Sequence, residues 1–169
     1  MEWADGCQRH WKRLSAFSPT PPKVVVQALT LAEVGPEDVV YDLGCGNGGV
    51  IAKAAKFFGA RAVGFDIDRA RIRASRARIE WLGLSHLASV RRQDLLSVRT
   101  LHKATIVYTY LPQHALNRLK PVLLMRCRKG TRVISVSHWG PTWLCGWKPT
   151  KELTIRLKGT KWFIGVWTV

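Results

Sequence analysis

The stretch VVYDLGCGNGG at residues 39–49 constrains the fold more than any other part of the chain. Its β-branched and apolar run reads as a buried strand. Three alternate glycines, Gly44, Gly46 and Gly48, then break the run before a helical pattern begins, with Cys45 and Asn47 between them. Gly44 permits a sharp turn, and Gly46 and Gly48 let the backbone approach a ligand with no Cβ in the way. The following helix would offer unpaired N–H groups to an anionic group. Glycine turns are common, so this one does not name a ligand by itself.

Around the turn, the hydrophobic period alternates. Residues 24–34 have helical spacing, with Pro22 suited to the first turn, and GPED breaks the pattern. Helices are predicted over 49–58, 69–82 and 112–126, and strands over 62–67, 89–94, 104–110 and 131–137. Such alternation predicts an α/β, Rossmann-like three-layer sandwich with a mostly parallel sheet. The tail differs: ELTIRLKG and KWFIGVWTV, separated by a tight Gly-Thr turn, read as an antiparallel hairpin that brings the sheet to seven strands. The Pro-rich SPTPP at 18–22 separates an N-terminal arm, 1–21, from a single domain over 22–169.

Three predicted strands finish in aspartate, at the sheet end where open α/β folds bind ligands. Asp66 lies twenty residues after Gly46, in AVGFDID, and is placed to accept both hydroxyls of an adenosine ribose, with Ile67 beside it. Asp42 precedes the turn and suits a ligand ammonium. Asp94, followed by Leu95, suits the edge and face of an adenine. The competing reading makes such residues helix N-caps. It fits Asp68, remains open for Asp94, and is poor for Asp42, which precedes a turn.

A dinucleotide or S-adenosylmethionine would suit this arrangement. The leading Asp42 and the closing hairpin resemble class I methyltransferases. Across residues 17–147, FSPTPPKVV, VVYDLGCGNGGV, AVGFDID, VRRQDLL, ATIVYTYLP and LKPVLLMRCRKGTRVISVSHW resemble the lysine methyltransferases of adenine nucleotide translocase and ATP synthase c-subunit, with their prokaryotic relatives. The resemblance implies S-adenosylmethionine as cofactor and a protein lysine as acceptor, with a membrane protein as one class of substrate. It implies that Pro19 and Thr20 lie over the cofactor, and that Tyr108, Tyr110, Leu111 and Pro112 form the family's segment after strand four. Asp66 stands where the family often has glutamate, which preserves ribose binding. No [DNS]-P-P-[YF] follows strand four, which disfavours base N6 methylation, and no cysteine sits where C5-methyltransferases hold their nucleophile.

Tyr108 and Tyr110 are the candidate acceptor channel, both on one face of the strand because alternate residues point the same way. Core packing is the competing reading. His138 and Trp139 are placed to line the acceptor side. The loop HWGPTWLCGWK (138–148) carries three tryptophans that suit a substrate lid, a membrane contact or a cover for the core. Four separated cysteines and five scattered histidines show no metal-ligand spacing, so reduced thiols and no metal are expected.

The charge is unusual. Lys and Arg number 27 against 11 Asp and Glu, a net +16, and residues 95–169 hold thirteen cations and one acid, Glu152. Such a field attracts nucleic acid, acidic protein or anionic lipid. It repels a basic peptide, so RNA is an alternative acceptor, and a small molecule is another. Arg69, Arg71, Arg73, Arg76 and Arg78 spread around one predicted helix and read as a solvated surface. No apolar run reaches the ~20 residues of a membrane span. Residues 1–17 carry no continuous apolar core, and Glu2 and Asp5 oppose a transit peptide, so a cytoplasmic, prokaryotic-type relative, if anything peripheral to a membrane, is expected.

Overall fold

The computed structural model describes residues 18–141 and 146–169. Seven strands form one sheet in the order β3-β2-β1-β4-β5-β7-β6. They are β1 (Val39–Leu43), β2 (Arg61–Asp66), β3 (Ala88–Arg92), β4 (Ile106–Thr109), β5 (Arg132–Ser137), β6 (Lys151–Leu157) and β7 (Thr160–Thr168). The first five run parallel, and β7 pairs antiparallel with both β5 and β6. Helices α1 (Pro22–Leu31), α2 (Gly49–Phe58) and α3 (Arg69–Trp81) cover one face, and α4 (Gln113–Arg126) with two 3-10 turns covers the other. None of these helices is long and apolar enough to cross a membrane.

Burial follows position in the sheet. In β4 every residue is buried, as expected of a central parallel strand covered on both sides. The edge strands β3 and β6 alternate between covered and exposed residues. The helices dock through stripes at helical spacing: Val24, Val25, Ala28 and Leu29 from α1, and Ile72, Ser75 and Ile79 from α3. Arg69, Arg73, Arg76 and Arg78 of α3 are exposed around this stripe, whereas Arg71 is half-buried and turns toward the strand ends.

Several boundaries differ from those expected. Helix α1 starts at Pro22 and ends at Leu31, not over 24–34, because Glu33 takes a left-handed φ of 53°. The Glu33 N–H then donates to Thr30 O and the Val34 N–H to Leu29 O, a Schellman closure without glycine. Strand β3 stops at Arg92 instead of Asp94, whose side chain caps a 3-10 turn by accepting from Leu96 N–H. The hairpin turn is Lys158-Gly159, with φ of 49° and 81°, not the Gly-Thr pair, and it joins Leu157 directly opposite Thr160. Two left-handed residues match the twist of a two-residue hairpin.

At the sheet end opposite the glycine turn, Arg132 locks three elements together. Its guanidinium donates to the carbonyls of Ala32 and Glu33 (the latter at 2.9 Å) and to Asp38 Oδ1 at 2.6 Å. Asp38 also accepts from Gly35 N–H and the Thr105 hydroxyl. Removing the arginine alone would leave a nearly buried carboxylate without its cation. Arg132→Met is expected to lower unfolding stability by about 2 kcal/mol, less than the roughly 3–5 kcal/mol of fully buried pairs, because the Arg132 side chain keeps 27% of its exposure. Urea titration of Arg132→Met, Asp38→Asn and the double variant checks this, and coupling between the two sites should be evident.

Candidate active site

The glycine turn is built against the end of β2. Gly44 N–H and Cys45 N–H both donate to Phe65 O, at 2.9 and 3.0 Å, folding the chain back over the neighbouring strand. Gly44 and Gly46 hold φ of 100° and 52°, values that a side chain strongly disfavours. Asp66 then fixes the turn. Its Oδ2 accepts from Gly46 N–H at 3.1 Å, its Oδ1 accepts from Asp68 N–H at 2.9 Å, and Arg71 stands 3.8 Å away. Asp68 caps α3, accepting from Ala70 and Arg71 N–H.

A cavity of about 350 Å³ opens above these strand ends. Asp42, Gly44, Cys45, Gly46 and Asn47 form its floor and one side, and Asp66 and Ile67 another. Asp94 and Leu95 enter from beyond β3, Tyr108 from β4, and Pro19 and Thr20 from the segment before α1. Gly48 is the exception among the residues that the sequence placed near a ligand. A Cβ there would lie 2.2 Å from Ser75 Oγ, so this glycine lets α2 and α3 approach each other. Ser18, Arg71, Leu111, Tyr110 and Trp139 line it too, with Gly49, Val50 and Asp68.

Tyr108 and Tyr110 share the α1–α3 side of the sheet, in keeping with their two-residue spacing. Tyr110 stacks on Trp139 with ring centroids 5.4 Å apart and planes at 15°, and its hydroxyl hydrogen-bonds His138 Nδ1 at 2.5 Å. His138 also meets Trp139 and Trp162. The result is an aromatic mouth beside the cavity. Of the loop tryptophans, Trp139 is 59% exposed at this mouth, whereas Trp147 packs on the α4-side core and accepts from Trp167 Nε1 through its carbonyl. Trp143 lies outside the described residues.

Residues 42–150 match the ANTKMT methyltransferase domain. A protein-lysine N-methyltransferase of Saccharolobus islandicus (strain REY15A) is 40% identical over 141 residues, 83% of this chain and 84% of that protein. The chain belongs to this methyltransferase family. The solved structure of an RNA methyltransferase from Salinibacter ruber, in complex with S-adenosyl-L-homocysteine, is 34% identical and superposes with a TM-score of 0.80, covering 90% of this chain and 94% of that one. A precorrin 8W decarboxylase from Methanobacterium thermoautotrophicum shares the fold at 22% identity and TM-score 0.68, over 90% and 93% of the two chains. The enzyme is thus an S-adenosylmethionine-dependent methyltransferase.

The electrostatics of the methyltransferase pocket separate its groups. Burial, reinforced by the charge of Asp66, raises the Asp42 carboxyl to about 8, and no hydrogen bond to it exists among the described residues. Burial drives the Tyr108 phenol far above its ordinary range, the nearby Thr20 side chain partly offsetting this, and among the described residues no group meets hydrogen-bond geometry to its hydroxyl. Cys45 is likewise pushed far up, by burial and then by Asp42 and Asp66, so it holds its proton and is no nucleophile. Among the described residues, no group of three His, Cys, Asp or Glu could hold a metal.

Arg71, expected on a solvated helix surface, borders the cavity, and nothing in the sequence pointed to Ser18 or to the Tyr110–His138 hydrogen bond. The last joins residues 28 apart and needs the β4–β5 pairing to be known.

The raised Asp42 value fixes a sign. The folded chain holds an extra proton between the ordinary value of 3.8 and about 8, so stability is lost as pH rises through that window. The slope is at most about 1.4 kcal/mol per pH unit for one proton. Asp42→Asn should remove this component. Urea midpoints of wild type and variant should therefore diverge from pH 5 to pH 8 in favour of the variant, and parallel curves would refute an aspartate that ionises only at high pH.

Proposed function

We propose that this enzyme methylates the side-chain amine of lysine in protein substrates and holds S-adenosylmethionine through the residues that line the cavity. The aromatic mouth is the observation that carries the acceptor: Tyr110, Trp139 and Trp162 surround an entrance of apolar ring faces next to the cavity. The 40% identity to a protein-lysine N-methyltransferase supports the same acceptor.

Each residue has a role in this reading. Asp66 uses one lone pair of Oδ2 on the glycine turn and one of Oδ1 on Asp68 N–H, so further lone pairs remain for two ribose hydroxyls. Asp42, without a partner in the pocket, takes the ammonium of the amino-acid end and ionises in doing so. Asp94 and Leu95 receive the adenine, and Pro19 and Thr20 cover the cofactor. The bound cofactor supplies a methyl group on an electron-poor sulfur. Residues of the chain then need to align the amine and exclude water. A desolvated mouth lowers the lysine pKa, and the hydrogen-bonded Tyr110–His138 pair takes the proton that the ammonium sheds.

A second reading, methylation of RNA, is favoured by the +16 charge and by the 34% identity to an RNA methyltransferase. Transfer of labelled methyl into protein or RNA from matched extracts decides between the two. Lysine in the hydrolysed product is the expected destination.

Two variants test the roles. Asp66→Ala should weaken S-adenosylhomocysteine binding by ten- to hundredfold in calorimetry, since charge-assisted hydrogen bonds contribute ~1.5–3 kcal/mol. NAD serves as the non-binding control, and unchanged affinity would remove the ribose assignment. Tyr110→Phe should lower kcat by about tenfold or more while leaving S-adenosylhomocysteine affinity intact. A loss confined to affinity would place Tyr110 on the cofactor instead.

A further inference from the structure

The β6–β7 hairpin contains two local arrangements that its backbone disfavours. Arg156 and Lys161 are directly opposed across the strands, and like charges in that relation repel. Lys158 holds a left-handed φ of 49° in a turn where asparagine or glycine is the ordinary choice. Both arrangements place a cation at the hairpin tip. All three side chains are exposed, and none makes an ion pair or hydrogen bond among the described residues. The one acid of the hairpin, Glu152, lies four residues back along β6. Departures from local preference of this kind gather at functional sites.

The register places the tip on the active-site side. Ser137, the last residue of β5, pairs with Phe163, and β7 begins three residues earlier at Thr160. At ~3.4 Å per residue the tip rises about 10 Å past the end of β5. Trp162 reaches the mouth itself, with its ring 5.8 Å from Tyr110 and 5.1 Å from His138, while Lys161 and the opposed Arg156 stand on the other face of the hairpin at the same end of the sheet. The basic tip and the aromatic entrance are therefore parts of one molecular end.

We infer that Arg156, Lys158 and Lys161 recognise an acidic stretch of the protein substrate beside the acceptor lysine. The inference rests on the lysine reading above and names the substrate class: lysines with aspartate or glutamate within about four positions, the span an extended peptide covers over that rise. It also accounts for a basic enzyme acting on a basic side chain. The carboxylates of the flank offset the long-range repulsion and hold the lysine at the mouth.

The test compares lysine peptides with acidic, neutral and basic flanks on the full chain, at low and high salt. The wild type should favour the acidic flank by about tenfold in kcat/KM, carried by KM, and the preference should shrink with salt. The triple variant Arg156→Gln, Lys158→Gln, Lys161→Gln should lose the preference while keeping its kinetics on the neutral peptide and its S-adenosylhomocysteine affinity. If the triple variant loses cofactor binding through misfolding, Lys161→Gln alone, which relieves the opposed charges, should show the same shift in smaller measure. Lysine methylation with equal rates on acidic and neutral flanks, or a preference that survives in the variants, overturns the inference alone. Methyl transfer to RNA and to no lysine peptide overturns the lysine reading together with it.

Discussion

The Asp66 carboxylate is the contact on which the pocket depends. It sits at the end of β2 and takes one N–H from the glycine turn and one from the start of α3, so a single side chain spaces two loops that both border the cavity. The parallel register between β1 and β2 makes this possible, because Asp42 lies opposite Gly64 and Leu43 opposite Phe65, whose carbonyl anchors the turn. The absence of a side chain at Gly64 matters here as well. A Cβ would stand 2.7 Å from the Cys45 side chain and push the turn away from the carboxylate that holds it. The ligand-facing shape is thus set by strand pairing first and by glycine second.

Around this frame the protein leaves polarity unspent. Among the described residues, Asp42 is 3% exposed with no hydrogen-bond partner, and the Tyr108 hydroxyl is buried with none. Thr109 and Thr131, buried elsewhere, are satisfied by Ile134 O and Ala104 O, whereas Ser75 Oγ, pressed against Gly48 outside the cavity, has no hydrogen-bond partner among the described residues. Unsatisfied groups on a cavity wall, as Asp42 and Tyr108 are, stabilise nothing by themselves and raise the affinity for whatever satisfies them.

The fold was legible because its strongest signals are periodic. Buried central strands leave continuous β-branched runs, and helices leave stripes, so the layer order and the hairpin followed from the residues. What escaped lay in exceptions to local preference. Glu33 and Lys158 take the left-handed conformation usually signalled by glycine, so α1 ended earlier than its spacing suggested and the hairpin turn fell one residue earlier than its Gly-Thr pair suggested. In the site, the aspartates and glycines were readable from their order along successive strands. The role of Gly48 was not, because Ser75 is 27 positions away and meets it only once α2 and α3 pack. Arg71 likewise looked like one solvated arginine among five until Asp66 drew it inward.

The sheet has two open edges, β3 and β6, each with backbone groups free to pair with another chain. Both are guarded by cations: Arg91 and Arg92 are exposed on β3, and Lys151 and Arg156 on β6. Two such edges brought together would set positive against positive, so the growth of one sheet into the next is opposed at both margins. The excess of arginine and lysine therefore also works against edge-to-edge pairing between copies of a strand-rich molecule.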